Sequence, residues 1–188
     1  MSIRVISGSA KGRKLKLVPG DTTRPIMDRV KENLFNILGD WVLESRWLDL
    51  FAGTGSVGIE ALSRGASYCM FVDMSQAAIS TVKENLTLTR LAEHAVIRRA
   101  DAIKMLQTKP TDAERVEAIF VAPPQYKSIW ANALRTIDGN ISWLLDEGVV
   151  VVQIDPREFS EVALKNLTLF DQRTYGNSML CFYETTRS

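Results

Sequence analysis

Short apolar runs and periodic apolar stripes alternate along this chain, as expected when strands and helices follow one another. The apolar runs predict strands at residues 47–51, 68–73, 95–98, 117–121 and 148–154. The stretches beside them carry helical spacing, near residues 57–62, 75–88, 102–108, 128–137, 140–145 and 156–164. Because strands that alternate with helices pair in parallel, the pattern predicts an α/β fold with a doubly wound, mostly parallel sheet.

Strict alternation of apolar and polar residues predicts a β-hairpin at each end of the chain. The first has arms at 3–7 and 13–17 with a basic rim, and the second has arms at 167–173 and 178–184. The second hairpin is expected to add an antiparallel strand to the main sheet. Residues 23–25, which begin with threonine and end with proline, are expected to open a helix, because threonine caps helices and proline suits their first turn.

The length of 188 residues fits one domain with a small appendage. We expect a basic β-hairpin extension over residues 1–22 and the main α/β domain over residues 23–188. The composition, 46% hydrophobic and 24% charged, is that of an ordinary soluble protein, and no apolar stretch approaches the roughly 20 residues of a membrane span. The N-terminus lacks the apolar segment of a secretion signal, and Cys69 and Cys181 lie in apolar runs without metal-ligand spacing. We therefore expect a cytoplasmic chain with reduced core cysteines and no metal.

Positive charge is concentrated at the N-terminal end. Residues 1–31 carry eight Lys or Arg and two Asp, a net charge of +6, whereas the remainder carries a net charge of −5. This asymmetry favours contact with a polyanion such as nucleic acid, and a solvated basic face is the open alternative. The candidate phosphate contacts are Arg4, Lys11, Arg13, Lys14, Arg24 and Arg29.

Three glycines, at positions 53, 55 and 58, follow the first long strand in the spacing GxGxxG. Strand, glycine-rich turn and helix form the context in which this motif holds a ligand against backbone amides. An acid that binds ribose hydroxyls is expected about 20 residues on, and Asp73 ends the next strand twenty residues after Gly53. A glycine turn without a ligand is the alternative. Ligands in such sheets bind at the carboxyl ends of the strands, where Asp101 and residues 122–126 also fall.

Several stretches of the chain resemble one family of enzymes. LDLFAGTGSVGIEALSRG resembles the first motif of class I S-adenosylmethionine-dependent methyltransferases. RVISGSAKGRKL, TRPIMDRVKENLFNIL and YGNSMLCFYE resemble the RsmD-type methyltransferases, which modify the 2-amino group of a guanine in small-subunit ribosomal RNA. The resemblance extends from Arg4 to Glu184 and implies a Rossmann-like domain with a seven-stranded sheet and an antiparallel C-terminal strand. It also implies S-adenosyl-L-methionine as methyl donor, and ribosomal RNA in a small-subunit assembly as the partner of a monomeric enzyme.

The same resemblance assigns roles to residues at the carboxyl ends of the strands. Asp49 and the glycine turn would bind the amino-acid part and sulfonium side of the donor, Asp73 its ribose, Met74 its adenine ring and Asp101 its adenine amine. The full set of expected donor-binding residues is Asp49, Phe51, Ala52, Gly53, Thr54, Gly55, Asp73, Met74, Asp101 and Ala102. Asp101 as a plain helix cap and Met74 as a core residue are the open alternatives.

One segment departs from the pattern of the family. After the fourth strand of the sheet the family has Asp or Asn, two prolines and an aromatic residue, whereas this chain has Ala122-Pro123-Pro124-Gln125-Tyr126. The resemblance makes this segment catalytic, with the carbonyls of Ala122 and Pro123 and the side chain of Gln125 holding the target amine, and Tyr126 stacked on the flipped guanine. We expect an active enzyme. The alternatives are a packing role for Tyr126, another nucleic-acid amine such as adenine as the target, and a protein that binds donor and RNA without transferring the methyl group.

Overall fold

The computed structural model describes residues 3–20, 25–125 and 127–186. Its strands are β1 (Ile3–Arg4), β2 (Lys14–Leu15), β3 (Arg46–Leu50), β4 (Tyr68–Asp73), β5 (Ala95–Arg99), β6 (Val116–Val121), β7 (Leu144–Ile154), β8 (Leu167–Tyr175) and β9 (Ser178–Thr185). Its α-helices are α1 (Asp28–Leu38), α2 (Ser56–Ser63), α3 (Gln76–Thr89), α4 (Ala102–Leu106) and α5 (Ile129–Gly139). From β3 to β7 strands and helices alternate, as the hydrophobic pattern predicts.

Seven strands form one sheet in the order β5-β4-β3-β6-β7-β9-β8. Strands β3 to β7 are parallel to one another, β9 runs antiparallel to β7, and β8 pairs antiparallel with β9. The terminal hairpin is confirmed, and Gly176 in its turn has a φ of 59°, a conformation that favours glycine. The doubly wound sheet with an antiparallel C-terminal strand is therefore the one that the sequence predicts.

The sheet is covered on both faces, and alternate residues of each strand enter different cores. Trp47 and Phe71 pack with the buried residues of α1, α2 and α3. Leu48 and Met70, their neighbours in sequence, pack instead with those of α4 and α5. Burial on both faces explains why these strands appear in the sequence as continuous apolar runs.

Two expectations from the sequence concern the cysteines and membrane-spanning helices. Cys69 and Cys181 are both buried and free, as predicted. Burial raises the pKa of the Cys69 thiol, because a thiolate is poorly stabilised away from water, so the side chain acts as a small apolar group. None of the helices in the described ranges has the length and apolar character of a membrane span.

The N-terminal hairpin is shorter than predicted and is packed closely onto the domain. Its ladder has two residues in each strand, with β1 paired to β2. Ile3 and Leu15 are buried in the same core cluster as residues of α1 and α2. In the connecting loop, the amide of Ser9 donates to the carbonyl of Ser63 at 2.8 Å. Gly8 approaches so closely, with a φ of 84°, that an added Cβ would lie 1.7 Å from that carbonyl oxygen. A division of the chain at residue 22 stays a prediction.

The first helix begins later than predicted. α1 starts at Asp28, and its N-cap is Met27, which is extended with a φ of −66° and a ψ of 145°. Ile26 is buried in the core, which holds the preceding segment out of the helix, so Pro25 is not in the first helical turn. Thr23, the predicted cap, lies outside the described residues.

The predicted helix at 140–145 is wrong. The chain forms a 3₁₀ helix there, Ile141–Trp143, and β7 already begins at Leu144, before the predicted strand start at 148. Asn140 donates from its side-chain nitrogen to the carbonyls of Leu106 and Thr108, at 2.8 Å in both cases. These bonds to a distant segment turn the chain out of α5, and local spacing gives no sign of them.

The predicted helix at 156–164 is also wrong, because only Pro156–Glu158 are helical there, as a 3₁₀ helix. Phe159, Val162 and Leu164 are partly buried against the core without helical structure. The extended chain then offers the amides of residues 165–167 to the carboxylate of Asp138, at 2.7–3.1 Å. These bonds hold residues 165–167 in a non-helical form directly after the predicted helix, and the local spacing of residues gives no sign of them.

Candidate active site

The carboxyl ends of four parallel strands lie side by side and bring the predicted site residues to one edge of the sheet. Leu50, at the end of β3, is paired with Val72 of β4 and with Val121 of β6. Asp73 is paired with Arg99 at the end of β5. The segments that follow these strands therefore meet at this edge, namely residues 51–55, 73–74, 100–102 and 122–125.

The segment 51–55, which we call the donor loop after the ligand that the sequence predicts for it, has an unusual backbone. Phe51, Gly53 and Gly55 have positive φ values of 58°, 54° and 74°. A non-glycine residue in this conformation costs about 1–3 kcal/mol, and such strain concentrates at functional sites. The first amides of α2 have no partner within the helix, so the loop ends at a cluster of backbone donors that suits an anion or a carboxylate.

Asp73 fastens the donor loop to the end of β4. Its Oδ2 accepts from the amide of Gly53 at 2.9 Å, and its Oδ1 accepts from the amide of Ser75 at 2.8 Å. Each carboxylate oxygen has a second lone pair, so two acceptor positions are left for hydroxyl donors. The twenty-residue spacing between Gly53 and Asp73 in the sequence thus corresponds to a direct hydrogen bond.

Asp49 is buried within the sheet next to the loop, with 2% of its surface exposed. Its Oδ2 accepts from the amide of Gly58 at 3.1 Å. Burial raises the pKa of Asp49 to about 8, with the Gly58 amide opposing this rise and the charge of Asp73 adding to it. Gly58 is itself required, because an added Cβ would lie 2.4 Å from the ring of Phe71 on β4. The third glycine of the motif therefore lets α2 pack against the sheet.

The Asp49→Asn substitution is expected to raise the free energy of unfolding more at pH 8 than at pH 5. The pKa rises from 3.8 to about 8 on folding, so only the folded chain holds this proton between those values. The contribution of the group to stability therefore falls as pH rises from about 4 to 8. Asparagine cannot ionise but still accepts from Gly58, so its advantage grows by at most about 1.4 kcal/mol per pH unit. Urea unfolding of both proteins at the two pH values measures this, and a pH-independent difference would contradict it.

The residues expected around adenine lie at the ends of β4 and β5. Met74 is 64% exposed, so its interpretation as a core residue is wrong. Asp101 caps α4, since its Oδ1 accepts from the amide of Lys104 at 3.1 Å, while Ala102 is buried. The helix-cap role of Asp101 is thus real, and its contact with an adenine amine stays a prediction.

The segment after β6 is positioned beside the donor loop, because β6 is the neighbour of β3. Ala122 and Pro123 are half-buried, whereas Pro124 and Gln125 are exposed. Tyr126 lies outside the described residues, so its predicted stacking role is untested. The exposed Gln125 side chain is accessible to a substrate at the sheet edge.

Four of the six predicted phosphate contacts are exposed and have no ion pair with a described residue. Lys11, Arg13, Lys14 and Arg29 are exposed and form no ion pair with any residue of the described ranges. Arg4 is exposed too, but its guanidinium lies 3.2 Å from the carboxylate of Asp28. Arg24 lies outside the described residues. We call residues 3–20 the N-terminal segment, and their exposed cations give it the basic surface that the charge asymmetry predicts.

Two buried ionisable residues near the site were missed by the sequence interpretation. Lys31, counted there among the N-terminal positive charges, is fully buried, with its Nζ 3.6 Å from Glu60. It donates to the carbonyl of Arg4 at 2.7 Å and to the hydroxyl of Ser56, the first residue of α2, at 2.8 Å. It is therefore unavailable to phosphate. In the sequence, burial of Lys31 is indicated by its position between Val30 and Leu34 on the apolar stripe of α1.

Comparison with known proteins gives matches over nearly the whole chain. The sequence model of the family described as Conserved hypothetical protein 95 matches residues 3–184. YlbH of Bacillus subtilis (strain 168), provisionally named an rRNA methyltransferase, is 41% identical over 182 residues, which are 97% of this chain and 98% of the relative. Ribosomal RNA small subunit methyltransferase D of Escherichia coli (strain K12) is 31% identical over 182 residues, which are 97% of this chain and 89% of the relative.

A solved structure shows the same fold at similar identity. It is that of yhhF from Escherichia coli, provisionally titled a methyltransferase, with a TM-score of 0.86 and 31% identity, covering 98% of both chains. The seven-stranded domain is thus a Rossmann-like class I methyltransferase domain, as the sequence motifs imply. A family match that spans almost every residue, together with these relatives, shows that the chain belongs to the family described as Conserved hypothetical protein 95, that of the RsmD-type ribosomal RNA methyltransferases.

Proposed function

We propose that the chain transfers a methyl group from S-adenosyl-L-methionine to the exocyclic 2-amino group of a guanine in small-subunit ribosomal RNA. One observation carries the proposal. The donor loop, which is bonded to Asp73, and the proline segment 122–125 lie at the same edge of the sheet. The donor loop suits a nucleoside with an amino-acid tail, and segment 122–125 offers backbone carbonyls to an amine. The names of the relatives support ribosomal RNA as the target.

The donor loop and its neighbours would hold the methyl donor from several sides. The amides at the start of α2 suit the carboxylate of the amino-acid part, and the free lone pairs of Asp73 suit two ribose hydroxyls. The exposed side chain of Met74 is free to lie on the adenine ring. Asp49 is buried and acts mainly through the amide of Gly58, so its role is to hold the start of α2 against the end of β3 beside the donor.

The chain's own contribution to the reaction would be alignment. When bound, S-adenosyl-L-methionine supplies an electrophilic methyl group, so the protein needs to hold the amine in line with it. Orientation of this kind contributes roughly 7–11 kcal/mol. The carbonyls of Ala122 and Pro123 and the side chain of Gln125 would accept the hydrogens of the amine and favour its more tetrahedral, positively charged transition state. Pro123 and Pro124 keep this segment stiff, since each ring fixes its own φ.

Substitution of Lys11, Arg13 and Lys14 by alanine is expected to weaken RNA binding and to flatten its dependence on salt. Phosphate contacts release counterions, and three lost contacts should lower the slope of log affinity against log salt by about 2 to 3. Filter binding of undermethylated small ribosomal subunits over a range of salt concentrations measures the slope. Affinity for S-adenosylhomocysteine should be unchanged.

A variant with the same change in charge elsewhere on the chain provides the control. It replaces three exposed basic residues away from the N-terminal segment, Lys109, Lys165 and Arg173. Its salt slope should equal that of the unmodified protein. Equal slopes for all three proteins would contradict the placement of RNA on the N-terminal segment.

Transfer of tritiated methyl groups to undermethylated small subunits, followed by mapping of the modified nucleotide, tests the proposed function. The expected product is one guanine methylated at its 2-amino group. Methylation of an adenine, or of another nucleic acid instead, would identify a different target amine. Donor binding without transfer to any substrate would show a binding protein and overturn the proposed activity.

A further inference from the structure

Asn85 on α3 is a fully buried amide that joins three segments of the chain. Its Oδ1 accepts from the backbone amide of Lys16 at 2.7 Å, and its Nδ2 donates to the carbonyl of the same residue at 3.1 Å. The second hydrogen of Nδ2 is directed to the carbonyl of Thr54 in the donor loop, at 2.9 Å. One side chain therefore binds both the N-terminal segment and the donor loop.

The same helix also packs directly against the donor loop. Val82, three residues before Asn85, lies so close to Gly55 that an added Cβ there would be 3.2 Å from Val82 Cγ2. Thr54 is itself buried, so its carbonyl has little access to water and depends on the amide of Asn85. A buried carbonyl that loses its donor is costly, which makes the loop position sensitive to this contact.

Lys16 is two residues beyond Lys14 on the segment that carries the exposed cations Lys11, Arg13 and Lys14. Movement of this segment on binding RNA would thus reach the Thr54 carbonyl of the donor loop through the side-chain amide of Asn85. We propose that Asn85 is a positioning residue that couples the N-terminal segment to the donor loop, so that RNA and the methyl donor bind cooperatively. The inference rests on the proposed function, because it requires the N-terminal segment to contact RNA and the loop to contact the donor.

The coupling has a defined thermodynamic form. If RNA fixes the N-terminal segment, it also fixes Asn85 and the Thr54 carbonyl, and the donor then binds a loop that is already ordered. The factor by which RNA strengthens donor binding must equal the factor by which the donor strengthens RNA binding. Couplings of this kind are typically about fivefold or more.

Equilibrium dialysis of labelled S-adenosylhomocysteine, with and without saturating undermethylated small subunits, measures this factor. The unmodified protein should bind the ligand at least about fivefold more tightly with subunits present. Asn85→Ala should bind the ligand about five- to tenfold more weakly and should lose the effect of the subunits. In transfer assays its KM for the donor should rise, while kcat at saturating donor and subunits stays within about twofold.

The matched control is Glu84→Gln, on the residue next to Asn85. Glu84 also joins α3 to Lys16, through an exposed ion pair of 2.6 Å between side chains, but it has no bond to the donor loop. This variant should retain the full coupling factor. A coupling factor of one in the unmodified protein, or an undiminished factor in folded Asn85→Ala, would overturn the proposal.

Hydrogen exchange in the unmodified protein decides the question if Asn85→Ala does not fold. S-adenosylhomocysteine alone should slow exchange of the Lys16 amide, which is bonded to Asn85, and leave that of Ser9, which is bonded to Ser63, unchanged. An unchanged Lys16 amide on saturation with ligand would overturn the coupling. Neither this measurement nor the dialysis requires methyl transfer, so an inactive protein that shows the coupling would contradict the proposed function alone.

Discussion

Replacing Glu60 by leucine is expected to lower the free energy of unfolding by about 3–5 kcal/mol, the usual cost of breaking a buried ion pair. Glu60 is fully buried on α2, 3.6 Å from Lys31 and 2.8 Å from Arg64. Its carboxylate also accepts the amides of Ile6 and Ser7, at 2.8 and 3.0 Å. Leucine would leave the buried Lys31 charge without its anionic partner, and the amides of the half-buried Ile6 and Ser7 without their acceptor. Urea unfolding at pH 7 measures the loss.

The exposed pair of Glu84 and Lys16 provides a matched control for this substitution. It too joins a helical glutamate to a lysine, but both side chains are more than half exposed, at 53% and 59%. Exposed pairs contribute about 0–1 kcal/mol, so Glu84→Leu should change the free energy of unfolding by no more than this. Similar losses for Glu60→Leu and Glu84→Leu would contradict the importance assigned to the buried pair.

Two further measurements separate the ion pair from simple packing. The double variant Lys31→Met/Glu60→Leu should recover at least about 1 kcal/mol relative to Glu60→Leu, because it removes the unpaired charge. Burial already lowers the pKa of Lys31, and loss of Glu60 lowers that pKa further. Since the folded variant then sheds the lysine proton more readily than the unfolded chain, the loss of stability should be smaller at pH 9 than at pH 6.

The features that the sequence predicts well depend on local pattern. Continuous apolar runs such as residues 117–121 occur where both faces of a strand are buried, and that condition implies a parallel sheet with helices on both sides. The GxGxxG spacing predicts the tight turn at residues 51–55 and the close packing of α2, because Gly53 and Gly55 have positive φ and Gly58 packs on Phe71. The acid at Asp73 follows from the length of one helix and one strand.

The features that the sequence does not predict depend on bonds between distant segments. Asn85 is bonded to residues 69 and 31 positions away along the chain, so no spacing rule identifies its partners. Where helices are expected at 140–145 and 156–164, bonds between distant residues hold the chain instead. The side chain of Asn140 donates to the carbonyl of Leu106, and the amide of Asn166 donates to the carboxylate of Asp138. Lys31 lies on the apolar stripe of α1, but a lysine there is ordinarily interpreted as a surface residue until Glu60 is seen beside it.

Substitution of Tyr126 by alanine is expected to slow methyl transfer by about 5- to 150-fold. The family resemblance implies that its ring stacks on the flipped base, and such stacking contributes about 1–3 kcal/mol. Gln125→Ala should also slow transfer, since the proposal makes its exposed side chain the replacement for the acid or amide that the family has at position 122. Both variants should bind S-adenosylhomocysteine normally, because the donor loop is on a different segment. Single-turnover transfer to one ribosomal substrate measures both effects.

The expected role of Gln125 is tested most sharply by restoring the residue type that the family uses. Ala122→Asp should be tolerated and should rescue Gln125→Ala, because a carboxylate at the end of β6 can accept the hydrogens of the amine in place of the glutamine side chain. Gln172→Ala, at an exposed glutamine on the edge strand β8, is the matched control and should transfer at the normal rate. If Gln125→Ala also transfers at that rate while Tyr126→Ala does not, the backbone carbonyls of Ala122 and Pro123 hold the amine without help from Gln125.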